Sequence, residues 1–136
     1  MPPPVLANTQ NIVAQGQALG RNPRAFAVIG DSTVEQPHFL TRFEAGNGPY
    51  NLGDYAYLQR TIDYFAGSFG RDSTAVRIGL HSWTAFDPLW ADKTRCAPNE
   101  GSVPCELRLH NPAVVLIRLG SNDVGVPQLY EDNMRL

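Results

Sequence analysis

The stretch AFAVIGDSTVE, residues Ala25–Glu35, decides the fold. Residues 26–29 form a short apolar run of strand formers, which predicts a buried β-strand. The strand ends in Gly30-Asp31-Ser32, so a glycine, a carboxylate and a hydroxyl follow one another where the chain leaves the sheet. Taken alone, this tripeptide is explained most simply as a turn, because Asp and Ser both favour turns and caps.

Two more apolar segments predict strands at 75–80 (AVRIGL) and 113–119 (AVVLIRL). Helices are predicted over 8–19 and 54–66, with a short one from residue 84 and another from Pro127, and loops over 36–53 and 92–111. Strands that alternate with helices indicate βαβ units and a parallel sheet. The chain is therefore expected to form a single α/β domain over residues 1–136, with the prolines near its start predicting an extended arm over residues 1–7.

The composition excludes several classes of partner. The 136 residues carry a formal net charge of -2 with both signs scattered, unlike the basic surface of a nucleic-acid-binding protein. The longest apolar run, residues 113–117, is too short for a membrane span, and no signal peptide is visible. No residues at metal-ligand spacing and no cofactor motif are found, so neither a metal nor a cofactor is predicted.

Cys96 and Cys105 enclose the segment APNEGSVP, which is rich in turn formers and could bring the two thiols together. A disulfide is favoured over the alternative of two free thiols in a reducing cell. Disulfides persist in oxidising compartments, so this prediction favours a secreted or extracytoplasmic protein.

All three predicted strands end in polar turns: GDS at 30–32, HS at 81–82 and GSND at 120–123. The carboxyl ends of parallel strands share one edge of a sheet, where α/β proteins bind ligands. At that edge Ser32 could expose its hydroxyl, and Asn122 could aim a neutral N–H donor at a developing oxyanion. Asp123, which cannot donate when ionised, is expected to anchor its loop.

The combination of GDS after the first strand with GxND after the third resembles the SGNH, or GDSL-like, hydrolases, from about Ala25 to the C-terminus. The resemblance implies a three-layer α/β fold with a flavodoxin-like parallel sheet, truncated here after its third strand. It also implies that Ser32 is the nucleophile and Asn122 an oxyanion-hole donor. The supporting residues of the two motifs are Gly30, Asp31, Gly120 and Asp123.

Two parts of the family pattern differ in this chain. In the stretch HSWTAFDPL, Ser82 stands where the family has a glycine whose backbone N–H binds the oxyanion, and a backbone N–H could survive that change. The family's general base is a histidine in a late DxxH block, which has no counterpart in residues 1–136. His81, after the second predicted strand, is a weak local candidate for the base, and His38 a weaker one; His110 is expected at the opposite end of the sheet.

The sequence therefore predicts serine-dependent hydrolysis of a small-molecule, carbohydrate or lipid ester. The alternative is a non-catalytic α/β binding module, or an inactive fragment, because no catalytic histidine is identified. A serine without its base loses most of its activation as a nucleophile.

Overall fold

The computed structural model describes residues 2–35, 39–46 and 48–135. These residues form a mixed α/β fold with a small, open, parallel sheet. Its elements are α1 (Pro3–Ala18), β1 (Asn22–Gly30), α2 (Gln59–Tyr64), α3 (Ser102–His110), β2 (Pro112–Arg118) and α4 (Pro127–Met134). Short 3-10 helices lie at Thr41–Phe43, Gly53–Leu58 and Pro88–Trp90.

β1 is the central element of the sheet. It pairs with β2 in parallel, in a register that runs from Phe26 opposite Val114 to Gly30 opposite Arg118. On its other side Gly30 forms a parallel bridge with Val76: its N–H donates to Ala75 O at 3.0 Å, and Arg77 N–H donates to Gly30 O at 3.1 Å. The first and third predicted strands are thus confirmed as parallel neighbours.

The strand predicted over 75–80 is reduced to that single bridge at Val76. The chain turns on both sides of the bridge, because Val76 N–H donates to Ser73 O and Leu80 N–H donates to Arg77 O. These turns use the backbone groups that a longer ladder would need, so the prediction of a full second strand is wrong.

The core lies on the face of the sheet that carries Ile29. Its buried apolar side chains, which include residues from the 75–85 segment and α3, are Ile29, Ala75, Leu80, Ala85 and Val103. On the opposite face, the ring of Phe26 packs edge-to-face against Phe65 and Phe69, with centroids 5.6 and 5.0 Å apart. These two layers hold the end of β1, and with it the GDS turn.

The helices differ from prediction in four places. The short helix predicted from residue 84 is replaced by turns at 82–85 and the 3-10 turn Pro88–Trp90. α1 begins at Pro3, so residues 3–7 are helical and the predicted extended arm is wrong. Proline fits the first turn of a helix because the N–H that it lacks would have no intrahelical partner there. α3 occupies the second half of the predicted 92–111 loop, with Pro104 tolerated in its first turn for the same reason. The helix predicted over 54–66 is a 3-10 turn followed by the short α2, because Tyr55 has non-helical backbone angles.

β2 is unusually exposed for a strand of a parallel sheet. Val114, Leu116 and Ile117 are 41, 42 and 50% exposed. Such strands are normally covered on both faces, and they read as continuous apolar runs for that reason. The apolar surface of β2 is therefore available to further packing.

Candidate functional site

The turns that follow β1 and β2 are in direct contact. The hydroxyl of Ser121, in the second turn, donates a hydrogen bond to the carboxylate of Asp31 in the first. The approach depends on Gly30, since a Cβ there would lie 2.3 Å from Val34 Cγ2 and 2.7 Å from the carbonyl oxygen of Arg118. The first and third predicted polar turns thus meet at one edge of the sheet.

Asp31 is buried, with 1% of its surface exposed, and it lies at the centre of a small polar network. Its Oδ1 accepts the N–H of Thr33 at 2.9 Å, and Arg118 Nε donates to Thr33 Oγ1 at 2.8 Å. Burial raises the pKa of Asp31. The hydrogen bonds from Ser121 and Thr33 and the charge of Arg118 together lower it by more than burial raises it, so the pKa is below its ordinary value. The carboxylate is ionised and fixes the turn.

Ser32 lies half-buried in the turn that Asp31 organises. The carbonyl of Asp31 accepts the N–H groups of Val34 at 3.1 Å and Glu35 at 3.2 Å, which closes the turn around Ser32. Ser32 therefore lies directly after the end of β1 and next to the fixed carboxylate of Asp31.

Asp123 anchors its loop, as the sequence predicts, and its partner is Ser82. The Ser82 N–H lies 3.1 and 3.2 Å from the two carboxylate oxygens of Asp123, and the Ser82 hydroxyl donates to Oδ1 at 2.8 Å. Both residues are buried. Because the Ser82 N–H is already engaged by a carboxylate, we do not retain Ser82 as an oxyanion donor.

Asn122 extends its amide toward the segment before the HS turn. Its Nδ2 donates to the carbonyl of Leu80 at 3.1 Å, which uses one of the two N–H hydrogens of the amide. The same loop begins at Gly120, whose φ of +114° and close approach to the Tyr130 ring, 3.2 Å from a Cβ built there, both favour glycine.

The two histidines that the structure describes lie at different ends of the sheet. His81 follows Leu80 at the edge that carries the polar turns, and its Nδ1 lies 4.0 Å from Asp123 Oδ1. His110 ends α3, before β2, where its Nε2 is 3.1 Å from Phe26 O and 3.4 Å from Ser68 Oγ. Burial and the charge of Arg71 lower the pKa of His110, which favours its neutral form. His38 lies outside the described residues.

Cys96 and Cys105 form a disulfide, which confirms the predicted pairing. Glu100 lies close enough to both sulfurs for a metal site, but neither is available as a thiolate ligand while they are bonded to each other. Among the residues that the structure describes, no helix combines the length and the apolar character needed to cross a membrane.

Ser121 is the residue of this site that sequence reasoning missed. Ser121 occupies the variable position x of the GxND motif, so the motif itself gives no reason to single it out. The sequence feature that could have identified Ser121 is its hydroxyl, which lies one residue before Asn122 at a strand end expected to meet the carboxylate of Asp31.

The chain has been compared with models of protein families, with curated proteins and with solved structures, and none of the three comparisons finds a match. No related protein therefore indicates what this site does, and its function has to be inferred from the residues that form it. Those residues provide a serine hydroxyl, an amide donor and two buried carboxylates, Asp31 and Asp123, that hold their loops in place.

Proposed function

We propose that this chain carries the nucleophile and part of the oxyanion hole of a serine esterase of the SGNH type, on a three-layer, flavodoxin-like sheet. The observation that carries the proposal is the hydrogen bond from Ser121 to Asp31, because it joins the turn that holds Ser32 to the turn that holds Asn122. The order of the parallel segments supports it as well, since Gly30 lies between Val76 and Arg118.

In the proposed reaction, Ser32 Oγ attacks the carbonyl carbon of an ester and forms a tetrahedral intermediate. The Ser32 N–H and the second N–H of the Asn122 amide stabilise the negative charge that develops on the carbonyl oxygen. The C–O bond to the alcohol breaks as the base returns the Ser32 proton to the leaving oxygen, and water, deprotonated by the same base, then hydrolyses the acyl-enzyme to release the acid and restore Ser32. Asp31 and Asp123 act as positioning residues, because each holds a loop and neither donates a proton to the substrate.

The proton of Ser32 requires a base. The family resemblance expects this base in a DxxH block, which residues 1–136 do not contain. His81 is the local alternative, at the polar edge and near a buried carboxylate. Without a base, turnover falls by as much as about a million-fold in enzymes of this kind.

The substrate class is an ester of a carbohydrate, a lipid or another small alcohol. The Cys96–Cys105 disulfide supports a secreted or extracytoplasmic site of action.

Labelling with a fluorophosphonate tests the proposal. The 136-residue chain, its Ser32→Ala variant and its His81→Gln variant are incubated with the probe, and the modified peptide is identified by mass spectrometry. We expect slow labelling at Ser32 that Ser32→Ala abolishes, and hydrolysis of p-nitrophenyl acetate that depends on the same serine. Labelling that persists unchanged in Ser32→Ala, or measurable hydrolysis that Ser32→Ala does not reduce, would refute the proposal.

A non-catalytic binding module is the second candidate, and the occupied N–H of Ser82 favours it. An oxyanion hole that lacks this donor would bind a carbonyl less strongly in the transition state. Absence of labelling in a folded chain, together with binding of an ester or its alcohol, would support this alternative over hydrolysis.

A further inference from the structure

A cavity of about 270 Å³ lies beside the turn that carries Ser32. Val34 and Glu35, at the end of that turn, form one part of its wall. Phe26 and Val28 of β1, residues 39–41 and residues 68–73 form the rest of its wall. The apolar side chains that line it are Phe26, Val28, Val34, Phe39, Leu40, Phe69 and Val76.

Three polar side chains of the lining, Ser68, Arg71 and Ser73, are bonded within the protein. Ser73 Oγ donates to the carbonyl of Val28 at 2.8 Å, and Ser68 Oγ accepts the N–H of Phe26 at 3.2 Å. Arg71 forms an ion pair with the buried carboxylate of Glu106, at 2.6 Å. At these three positions a guest gains little from new hydrogen bonds, so its contacts with the apolar side chains of the lining are what favour binding.

The charges of the lining further restrict the guest. Glu35 and Asp72, two of its carboxylates, are both exposed, and Asp72 is paired with Arg95 at 3.0 Å. A carboxylate guest would meet the charge of Glu35, whereas a neutral ester would not. An uncharged molecule with an apolar chain fits these conditions best.

We propose that this cavity binds the acyl chain of a neutral ester whose carbonyl is presented to Ser32. This inference rests on the proposed esterase function and makes it more specific. A cavity of about 150 Å³ lined by apolar residues binds benzene, so this one has room for a chain of about six to eight carbons. The preferred substrate is then a medium-chain ester, and an acetyl group would leave most of the cavity unfilled.

Binding of a non-hydrolysable ketone tests the inference independently of catalysis. Calorimetry compares 2-octanone with 2-butanone on the 136-residue chain, and we expect the longer ketone to bind at least tenfold more tightly. Val28→Phe and Val76→Phe fill the cavity from two different segments, and each is expected to weaken 2-octanone binding at least tenfold. Leu89→Phe, at a side chain that is 88% exposed and outside the cavity, is the matched control and should bind like the parent.

The outcomes separate this inference from the proposed function. If both filled variants keep the parent's circular dichroism and its affinity for 2-octanone, or if 2-octanone binds no more tightly than 2-butanone, the cavity is not an acyl site. If the ketone binds as expected but a fluorophosphonate labels the Ser32→Ala variant as fast as the parent, the acyl site stands as a binding site and the esterase proposal fails.

Discussion

The hydroxyl of Ser121 donates a hydrogen bond to the buried carboxylate of Asp31, and this contact joins the turns that follow the two strands of the sheet. The two residues are 90 positions apart in the sequence. Because a buried carboxylate must be compensated by donors, the bond contributes both to stability and to the relative position of Ser32 and Asn122.

The first prediction concerns the substitution Ser121→Ala. It removes one donor from Asp31 and should lower the free energy of unfolding by about 1–3 kcal/mol at neutral pH. The pKa of Asp31 is lowered in the folded state, so its stabilising contribution is present above the unfolded pKa of about 4 and is lost as the pH falls through the folded value. The loss caused by Ser121→Ala should therefore be largest near neutral pH and shrink at acidic pH.

Chemical denaturation of the parent and Ser121→Ala between pH 3 and pH 7 measures this difference. The exposed Thr94→Ala exchange offers a control, because the Thr94 hydroxyl bonds to the exposed Asp92 carboxylate. A difference between parent and Ser121→Ala that does not change with pH would show that Asp31 is not the group involved.

The second prediction concerns Gly30→Ala. A methyl group at this position would lie 2.3 Å from Val34 Cγ2 and 2.7 Å from Arg118 O, and the carbonyl belongs to the backbone of β2. We expect destabilisation by about 1–3 kcal/mol or more, measured by denaturant unfolding. Gly16→Ala in α1 is the matched control: its nearest contact would be 3.8 Å away, and it should stabilise the helix by about 0.5–1 kcal/mol.

The third prediction concerns the disulfide between Cys96 and Cys105. The bridge joins two residues that are nine positions apart in the sequence. If a disulfide acts by reducing the entropy of the unfolded chain, reduction of this one should lower the free energy of unfolding by roughly 2–3 kcal/mol. Unfolding with and without a reductant measures the effect. The double variant Cys96→Ser/Cys105→Ser should match the reduced parent and be insensitive to the reductant; sensitivity of that variant would assign the effect to something other than the bridge.

Most of the features that the sequence predicted correctly are local ones, and the parallel pairing of β1 with β2 follows from the alternation of strands and helices. β1 and β2 each contain a continuous apolar run, at 25–29 and 113–117, that is followed by turn formers, and the two cysteines are separated by residues that favour a reversal of the chain. The features that it missed depend on the tertiary structure. Val76 has strand-forming neighbours, but the turns around it limit pairing to one bridge, and the contact between Ser121 and Asp31 exists only because two distant turns meet.

α3 is a similar case. Its first turn contains Pro104, and local propensity alone favours a loop there. The helix is stabilised by what it packs against: Val103 belongs to the core around Ile29, and the buried Glu106 is paired with Arg71. Those partners come from other parts of the chain, so the local sequence of α3 does not predict these contacts.

The fourth prediction concerns the exposed strand β2. Its apolar side chains and its position at the edge of the described sheet favour association with other β-strands. Leu116→Lys places a charge on that surface and should slow aggregation, measured by light scattering at increasing protein concentration. Leu89→Lys is the control, since Leu89 is more exposed but lies outside the sheet; equal effects of the two substitutions would indicate that net charge alone controls solubility.

The fifth prediction concerns Asp123→Asn. The aspartate carboxylate accepts both the N–H and the hydroxyl of Ser82, whereas an asparagine offers one oxygen and turns an N–H₂ group toward these donors. We expect a loss of about 1–3 kcal/mol, because a buried donor is left without its acceptor. Asp132→Asn, on the exposed side of α4, should change stability by less than about 0.5 kcal/mol.

The variant Asp123→Asn also distinguishes a positioning role of Asp123 from a purely structural one. Asn122 is the neighbour of Asp123 in the loop, and its amide is held near Leu80 O. If the loop positions the amide for an oxyanion, Asp123→Asn should slow fluorophosphonate labelling of Ser32 under conditions where the variant is fully folded. Labelling at the parental rate by a folded but less stable variant would assign Asp123 to stability alone.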